Sequence, residues 1–200
     1  MKSTKSFCGG TACRERSGTT LERILDFVKT LLLPHVKPAG NYLDFTMGNG
    51  HDTLFLAQHT QSVVTAFDIQ PQALASTQKR LEEHGVSNVR LILDSHHRFL
   101  EYVNDPIDAA VFNLGYLPNG DKSVTTLPQT TLQAVSLAVN NLCKGGLLVI
   151  VLYPGHPQGK LESELIEPFC ISLNAKEYDV LKYDFINKSS PPYILAVLRK

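Results

Sequence analysis

The chain contains no tryptophan, four cysteines and two methionines, and it has no excess charge: 19 Lys and Arg balance 19 Asp and Glu. That balance excludes a polycation that coats nucleic acid, although a local basic face would still serve an RNA enzyme. The longest apolar run, residues 147–153, falls well short of the ~18 residues that span a bilayer and suits a buried strand. Cys8, Cys13, Cys143 and Cys170 form no CxxC pair, so they read as thiols of a reducing cytoplasm, not as a zinc site. No repeat or low-complexity tract follows Gly18. What is present is 43% hydrophobic and 19% charged residues over 200 positions, the balance of one globular domain. Residues 1–18 carry Lys2, Lys5, Arg14 and Arg16 with few large apolar groups, so they are expected to form a flexible arm ahead of a single domain at 19–200.

Strand-like and helix-like segments alternate through that domain. Thr19 or Thr20 can cap a helix whose Leu21, Ile24, Leu25, Val28, Leu31 and Leu32 recur at helical spacing. Strands are expected at 41–46, 62–68, 89–93, 108–113, 147–152, 178–186 and 193–198. Helices are expected at 51–59, 71–84, 132–142 and 161–173, with Lys144-Gly-Gly146 ending the third of these and Pro168 bending the fourth. Such alternation implies right-handed crossovers and a mostly parallel sheet covered by helices on both faces, with the last two strands close enough to pair antiparallel.

In an open α/β sheet, ligands bind beyond the carboxyl ends of the strands. The first such end reads Asp44, Phe45, Thr46, Met47, Gly48, Asn49, Gly50, His51, Asp52, Thr53. Gly48 and Gly50 let backbone approach a ligand closely. Asp68, 18 residues after Gly50, closes the next strand, where a carboxylate can accept both hydroxyls of a ribose. A dinucleotide or S-adenosylmethionine fits this pattern. Thr53 stands where a dinucleotide loop has its third glycine, and Asp44 repels pyrophosphate but suits the methionyl ammonium and the sulfonium, so S-adenosylmethionine is favoured over NAD.

At the third strand end, Asp94 or Ser95 either bonds the adenine amine or caps the short helix at 98–102. His96 and His97 are adjacent and point apart, which argues against metal, and no metal site is expected. At the fourth, Asn113 offers a side-chain oxygen to a substrate amine, and Tyr116 packs either against the substrate base or in the core. Asp121, Lys122, Tyr153 and His156 converge from loops on the same edge, with His156 the candidate base. Lys122, Lys160, Lys182, Lys188, Arg199 and Lys200 are candidates for a basic rim that meets RNA phosphates.

The strings DFTMGNGHDTLFLA (44–57), FDIQ (67–70), VFNLGYLPNGDKSVTT (111–126), YPGHPQGK (153–160) and YDFINKSSPPYILAV (183–197) resemble the bacterial YtqB/MnmM proteins, tRNA 5-aminomethyl-2-thiouridine methyltransferases. The resemblance runs from about Leu21 to the C-terminus. It implies a Rossmann-like class I methyltransferase with a mostly parallel seven-stranded sheet and an antiparallel C-terminal strand. It further implies a cytoplasmic homodimer that methylates the wobble aminomethyluridine in a tRNA anticodon stem-loop, and no membrane or DNA partner. By the same resemblance, Met47–Thr53, Asp68, Ile69, Gln70, Ser95, His96, Asn113, Leu114 and Gly115 hold S-adenosylmethionine, and Asp121, Lys122, Tyr153 and His156 border the substrate. Phe45 stands where the family commonly has Ala, and Pro154 interrupts a loop often written Tyr-His-Gly-His. Methylation of rRNA or of a small amine, an NAD-dependent oxidoreductase, and an inactive cofactor-binding protein are the competing readings.

Overall fold

The computed structural model describes residues 20–115 and 127–200. Residues 1–18, for which a flexible arm was expected, and Thr19, Tyr116, Asp121 and Lys122 lie outside the described residues.

Helix α1 (Ile24–Leu32) buries Ile24, Val28 and Leu32, one residue per turn. Its N-cap is Arg23, without a side-chain hydrogen bond, so Thr20 does not serve as the cap. Leu21 and Leu25, expected on the inner face, are exposed; Leu25 instead faces the cavity described below. Strand β1 (Tyr42–Asp44) is short and wholly buried. It is followed by α2 (His51–Gln58), β2 (Val64–Asp68), α3 (Pro71–Glu83), β3 (Val89–Leu93) and a 3-10 segment at His96–Glu101. Then come β4 (Ile107–Asn113), α4 (Pro128–Asn141), β5 (Leu142–Leu152), α5 (Pro157–Ile171), β6 (Tyr178–Tyr183) and β7 (Tyr193–Arg199). Pro71, Pro128 and Pro157 each open their helix, where the missing N–H costs nothing.

The seven strands form one sheet in the order β3-β2-β1-β4-β5-β7-β6. β1 to β5 are parallel, and β7 runs antiparallel to both β5 and β6. Strand β5 shows why the sheet needs helices on both sides. Leu148, Ile150 and Leu152 point into a core shared with α4 and α5, while Leu147, Val149 and Val151 point into one shared with α1 and α2.

Several boundaries depart from the sequence expectation: β1 is shorter than 41–46, α4 starts at Pro128 and not at 132, and β6 ends at Tyr183 and not at 186. Two further departures have a visible cause. Lys144-Gly-Gly146 is not a helix stop but an irregularity within β5: Ile107 pairs with Leu142, and Ala109 already pairs with Leu147. Gly145, at φ +81°, supplies the left-handed residue that such a bulge requires. Helix α5 begins at Pro157, not at 161, because His156 caps it. Pro168 is accommodated inside it.

Phe45 is fully buried and stacks on Phe112, ring centroids 4.2 Å apart and 8° from parallel, with Phe99 edge-on at 5.1 Å. The larger residue therefore completes an aromatic layer beneath the sheet's open end. Phe45→Ala is expected to cost about 3–5 kcal/mol of unfolding free energy, measured by urea denaturation.

Candidate active site

A cavity of about 870 Å³ opens at the carboxyl ends of β1, β2, β4 and β5, within the size range of ligand pockets. It lies where the strand order reverses, with β1 flanked by β2 on one side and β4 on the other. One half is built on β1, β2 and the segment after β3; the other on β4, β5 and the starts of α4 and α5.

The turn Met47–Gly50 forms the floor of the first half. The Met47 N–H donates to the Phe67 carbonyl and the Gly48 N–H to Asp68 Oδ2 at 3.1 Å, which joins the loop to β2. Gly50, at φ +77°, is the N-cap of α2, and a Cβ there would lie 2.9 Å from the Thr77 side chain. Helix α3 secures the loop from behind: the Thr77 hydroxyl donates to the Gly48 carbonyl at 3.1 Å, and Arg80 Nε donates to the Asn49 carbonyl. With those carbonyls held by α3, the turn keeps one conformation before any ligand arrives.

The carboxylates divide by role. Asp44 is fully buried and accepts the Thr46 N–H at 3.0 Å and the Thr53 hydroxyl at 2.6 Å. Asp44, Gly50 and Thr53 do not line the cavity. These three expected cofactor contacts buttress the loop instead, because their polar atoms and backbone are turned toward α2 and α3. Asp52 does line the cavity and accepts Asn113 Nδ2 at 3.1 Å. Asp68 lines it too, while receiving the N–H groups of Gly48 and Gln70. Burial raises the pKa of all three. Asp44 rises from the ordinary 3.8 to about 7 through burial and the nearby charges of Asp52 and Asp68.

Thr46, Met47, Gly48, Asn49, Ile69 and Gln70 line the first half. His51 lines it with its Nε2 taking an N–H from Arg80 at 3.2 Å, so burial and Arg80 push its pKa down. Asp94 is absent from the cavity wall; its carboxylate takes the Tyr102 hydroxyl at 2.6 Å and pairs with Arg98 at 2.9 Å. Ser95 and His96 remain on the wall; the Ser95 hydroxyl is bonded to His97 Nδ1 at 2.7 Å. His96 is buried edge-on against Phe112, and burial followed by the neighbouring His97 lowers its pKa to about 4, so it is neutral.

In the second half, three residues form a chain. The Tyr153 hydroxyl donates to Asn113 Oδ1 at 2.8 Å, and Asn113 Nδ2 donates to Asp52. The Asn113 N–H donates to Thr46 Oγ1 at 2.7 Å. The ends of β1, β4 and β5 are thereby tied together, with Leu114 and Gly115 beside them on the wall. Burial, then the Asp52 charge, pushes the Tyr153 pKa up to about 12, so the phenol keeps its proton. His156 borders the cavity, but its Nδ1 accepts the Gly159 N–H at 3.0 Å as the cap of α5. In the neutral ring that lone pair is spent and the proton sits on Nε2, so His156 is a donor there and not the base expected from its residue type.

Of the residues anticipated for a basic rim, Lys122 lies outside the described residues, and three others have intramolecular partners. Lys182 pairs with Glu167 at 2.7 Å, Lys200 with Asp179 at 2.9 Å, and Arg199 donates to the Leu142 carbonyl. Among the described residues, Arg80 bonds the Asn49 carbonyl of the turn, and Lys29 is close enough to lower the pKa values of Asp52 and His51. Wall residues not anticipated are Leu25, Phe45, His97, Leu127, Thr130, Gln158 and Glu162. A signal existed for Glu162: it shares helical spacing with the buried Gly159, Ile166 and Cys170, an acid on an inward face. Among the described residues no group of three His, Cys, Asp or Glu is placed to hold a metal ion.

The parallel sheet, its antiparallel β7 and the glycine turn at the reversal point define a Rossmann-like class I methyltransferase fold. Residues 64–199 match the rRNA methylase family, described as "Putative rRNA methylase". The chain belongs to that family. It is 33% identical over 82% of its length to the "tRNA (mnm(5)s(2)U34)-methyltransferase, chloroplastic" of Arabidopsis thaliana, and spans 65% of that protein. It is also similar to a "putative rRNA-methylase" from Clostridium thermocellum, with a TM-score of 0.88 and 36% identity, covering 91% of this chain and all of that one. A "putative methyltransferase" from Streptococcus mutans in complex with SAH gives a TM-score of 0.84 and 37% identity, covering 90% of this chain and all of that one.

An acid whose pKa rises on folding holds its proton more tightly folded than unfolded, so it subtracts stability as pH climbs. Denaturation of the ligand-free protein from pH 4 to pH 7 is therefore expected to show wild type losing stability relative to Asp44→Asn. A constant difference between the two would exclude a raised Asp44 pKa.

Proposed function

We propose that the chain is an S-adenosylmethionine-dependent tRNA methyltransferase. It methylates the amine of 5-aminomethyl-(2-thio)uridine at the wobble position, giving 5-methylaminomethyl-(2-thio)uridine. The observation that carries the cofactor is the set of buried carboxylates, Asp44, Asp52 and Asp68, around one glycine turn. Their raised pKa values mean that negative charge there lacks compensation, which a sulfonium and an ammonium supply and a pyrophosphate aggravates. The likeness to the SAH-bound Streptococcus structure supports the same reading. The tRNA substrate is supported by the likeness to the plant enzyme across most of the chain. Methylation of rRNA, the function in the family description, is the second reading.

The bound cofactor supplies an electrophilic methyl group. The chain supplies position and charge. Asp68, already oriented by two backbone N–H groups, keeps lone pairs for a ribose. Met47–Asn49 presents a fixed turn against the methionine end. Asn113 is held at both ends of its amide by Tyr153 and Asp52, and Oδ1 retains one lone pair that orients a substrate N–H. Holding the amine in line with the methyl accounts for a large share of the acceleration. Tyr116, Asp121 and Lys122 follow Asn113 in the sequence, and in this reading they border the substrate. The reading also takes the protein as a cytoplasmic homodimer that engages the anticodon stem-loop. Among the described residues no helix is long and apolar enough to cross a membrane.

Incubating tRNA that carries aminomethyluridine with the protein and S-adenosylmethionine is expected to give a nucleoside one methylene heavier, detected by mass spectrometry. Unmodified nucleoside at every enzyme level would refute the substrate. Asn113→Ala is expected to lower kcat about 100-fold or more and, because the Tyr153 hydroxyl and Asp52 lose their partner, to cost about 1–3 kcal/mol of unfolding free energy while the protein still folds. Titration calorimetry should show heat with S-adenosylmethionine and none with NAD; the reverse would make the chain an oxidoreductase.

A further inference from the structure

His96 opens the 3-10 segment after β3 and is 4% exposed, yet it forms part of the cavity wall. Its ring is held on two sides. It packs edge-on against Phe112 of β4, with ring centroids 5.5 Å apart. It also bonds the Phe45 backbone at the end of β1, a bond that favours the charged ring, so the imidazole donates to the Phe45 carbonyl. Nε2 is buried and has no hydrogen-bond partner among the described residues, so the donating nitrogen is Nδ1. With the proton of the neutral ring committed to Phe45, Nε2 carries a lone pair and no hydrogen. Buried polar atoms nearly always have a partner. Because the Phe45 carbonyl fixes the tautomer, Nε2 can gain one only by accepting from a ligand N–H or O–H.

The strand order tells which part of the cofactor reaches it. β1 lies between β2 and β4, and β3 lies beyond β2. The methionine end belongs at the turn 47–49 beside Asn113, and the ribose at Asp68, which closes β2. The nucleobase then falls beside Ile69, Gln70 and the segment after β3, all on the cavity wall. Adenine has one hydrogen-bond donor, its exocyclic amine; its free ring nitrogens accept. From sequence that amine falls to Asp94 or Ser95. Asp94 is off the wall and holds the Tyr102 hydroxyl and Arg98, and the Ser95 hydroxyl is bonded to His97.

We propose that His96 reads the nucleobase of the cofactor, its Nε2 accepting one hydrogen of the adenine amine. This rests on the S-adenosylmethionine reading given above. His96 is a specificity-determining residue and takes no part in methyl transfer. A neutral acceptor also suits this cavity better than another carboxylate, because Asp44, Asp52 and Asp68 already concentrate negative charge around the turn. A base with an oxygen in place of the amine would set two lone pairs against each other and be rejected.

The test compares, by titration calorimetry, the binding of SAH and of its purine analogue, in which hydrogen replaces the amine. Wild type is expected to prefer SAH about ten-fold, the worth of one buried hydrogen bond. His96→Phe keeps a ring in place but has no acceptor; it should abolish the preference and leave affinity for the purine analogue near wild type. His96→Gln, whose amide oxygen has a similar reach, should keep most of the preference, and Asp94→Asn all of it. A merely structural role would weaken both ligands alike. A second readout needs no variant: with 15N-labelled histidine, the Nε2 resonance of wild-type His96 is expected to move on addition of SAH and not of the purine analogue. Equal movement overturns the proposal whether or not His96→Phe folds. Equal affinity of wild type for the two ligands, a preference that survives His96→Phe, or one that disappears in Asp94→Asn overturns the role of His96 while the cofactor stands. Absence of SAH binding in wild type overturns the cofactor reading itself, and the role of His96 with it.

Discussion

The open end of the sheet is organised by a buried carboxylate. Asp44 closes β1 and draws in the Thr46 amide and the Thr53 hydroxyl, so the chain must turn sharply between them and enter α2. That turn is the glycine loop. Gly50 can take its left-handed conformation, and α3 then claims the outward carbonyls through Thr77 and Arg80. Everything the cavity does in its first half depends on this arrangement. Its cost is electrostatic: Asp44, Asp52 and Asp68 crowd one another, and the site is most at ease when a cation enters.

The second half rests on a different device. Asn113 ends β4 with its amide stretched between Tyr153 and Asp52, and its backbone N–H on Thr46. A single side chain thus reports to the ends of three strands. The same geometry explains why the residue types most often read as bases are not free to act as one. The phenol of Tyr153 is a donor, and the imidazole of His156 is a helix cap. The acid of α5 on the cavity wall, Glu162, shares its buried helix face with Gly159, Ser163, Ile166 and Cys170.

Most of the fold was legible because its signals are local. A continuous apolar run marks β5, which is buried on both faces, and proline opens α3, α4 and α5. Glycine misled where its role depends on a neighbouring strand: Gly145 and Gly146 look like a helix stop until Ile107 is seen pairing across them. The site was legible as far as backbone dictates it, in the loop at 47–50, in Asp68 and in Asn113. It was less so where the outcome depends on which partner captures a side chain. Asp94 is taken by Tyr102 and Arg98, eight and four residues on, and Asp44 by Thr53. Glu162 escaped notice because an acid between Leu161 and Ser163 reads as solvent-facing unless its spacing to Ile166 and Cys170 is counted.

The cap on α5 also sets the rotational phase of that helix. His156 anchors the first turn through Gly159, and Ser163 repeats the anchoring one turn later by donating to the Gly159 carbonyl at 2.7 Å. Each residue advances a helix by about 100°. Lengthening or shortening the short link between Tyr153 and Pro157 by one position would carry the inward acid a quarter-turn or more away from the cavity and bring a neighbour in its place. The length of this link, together with the His156 cap, therefore fixes which side chains of α5 face inward.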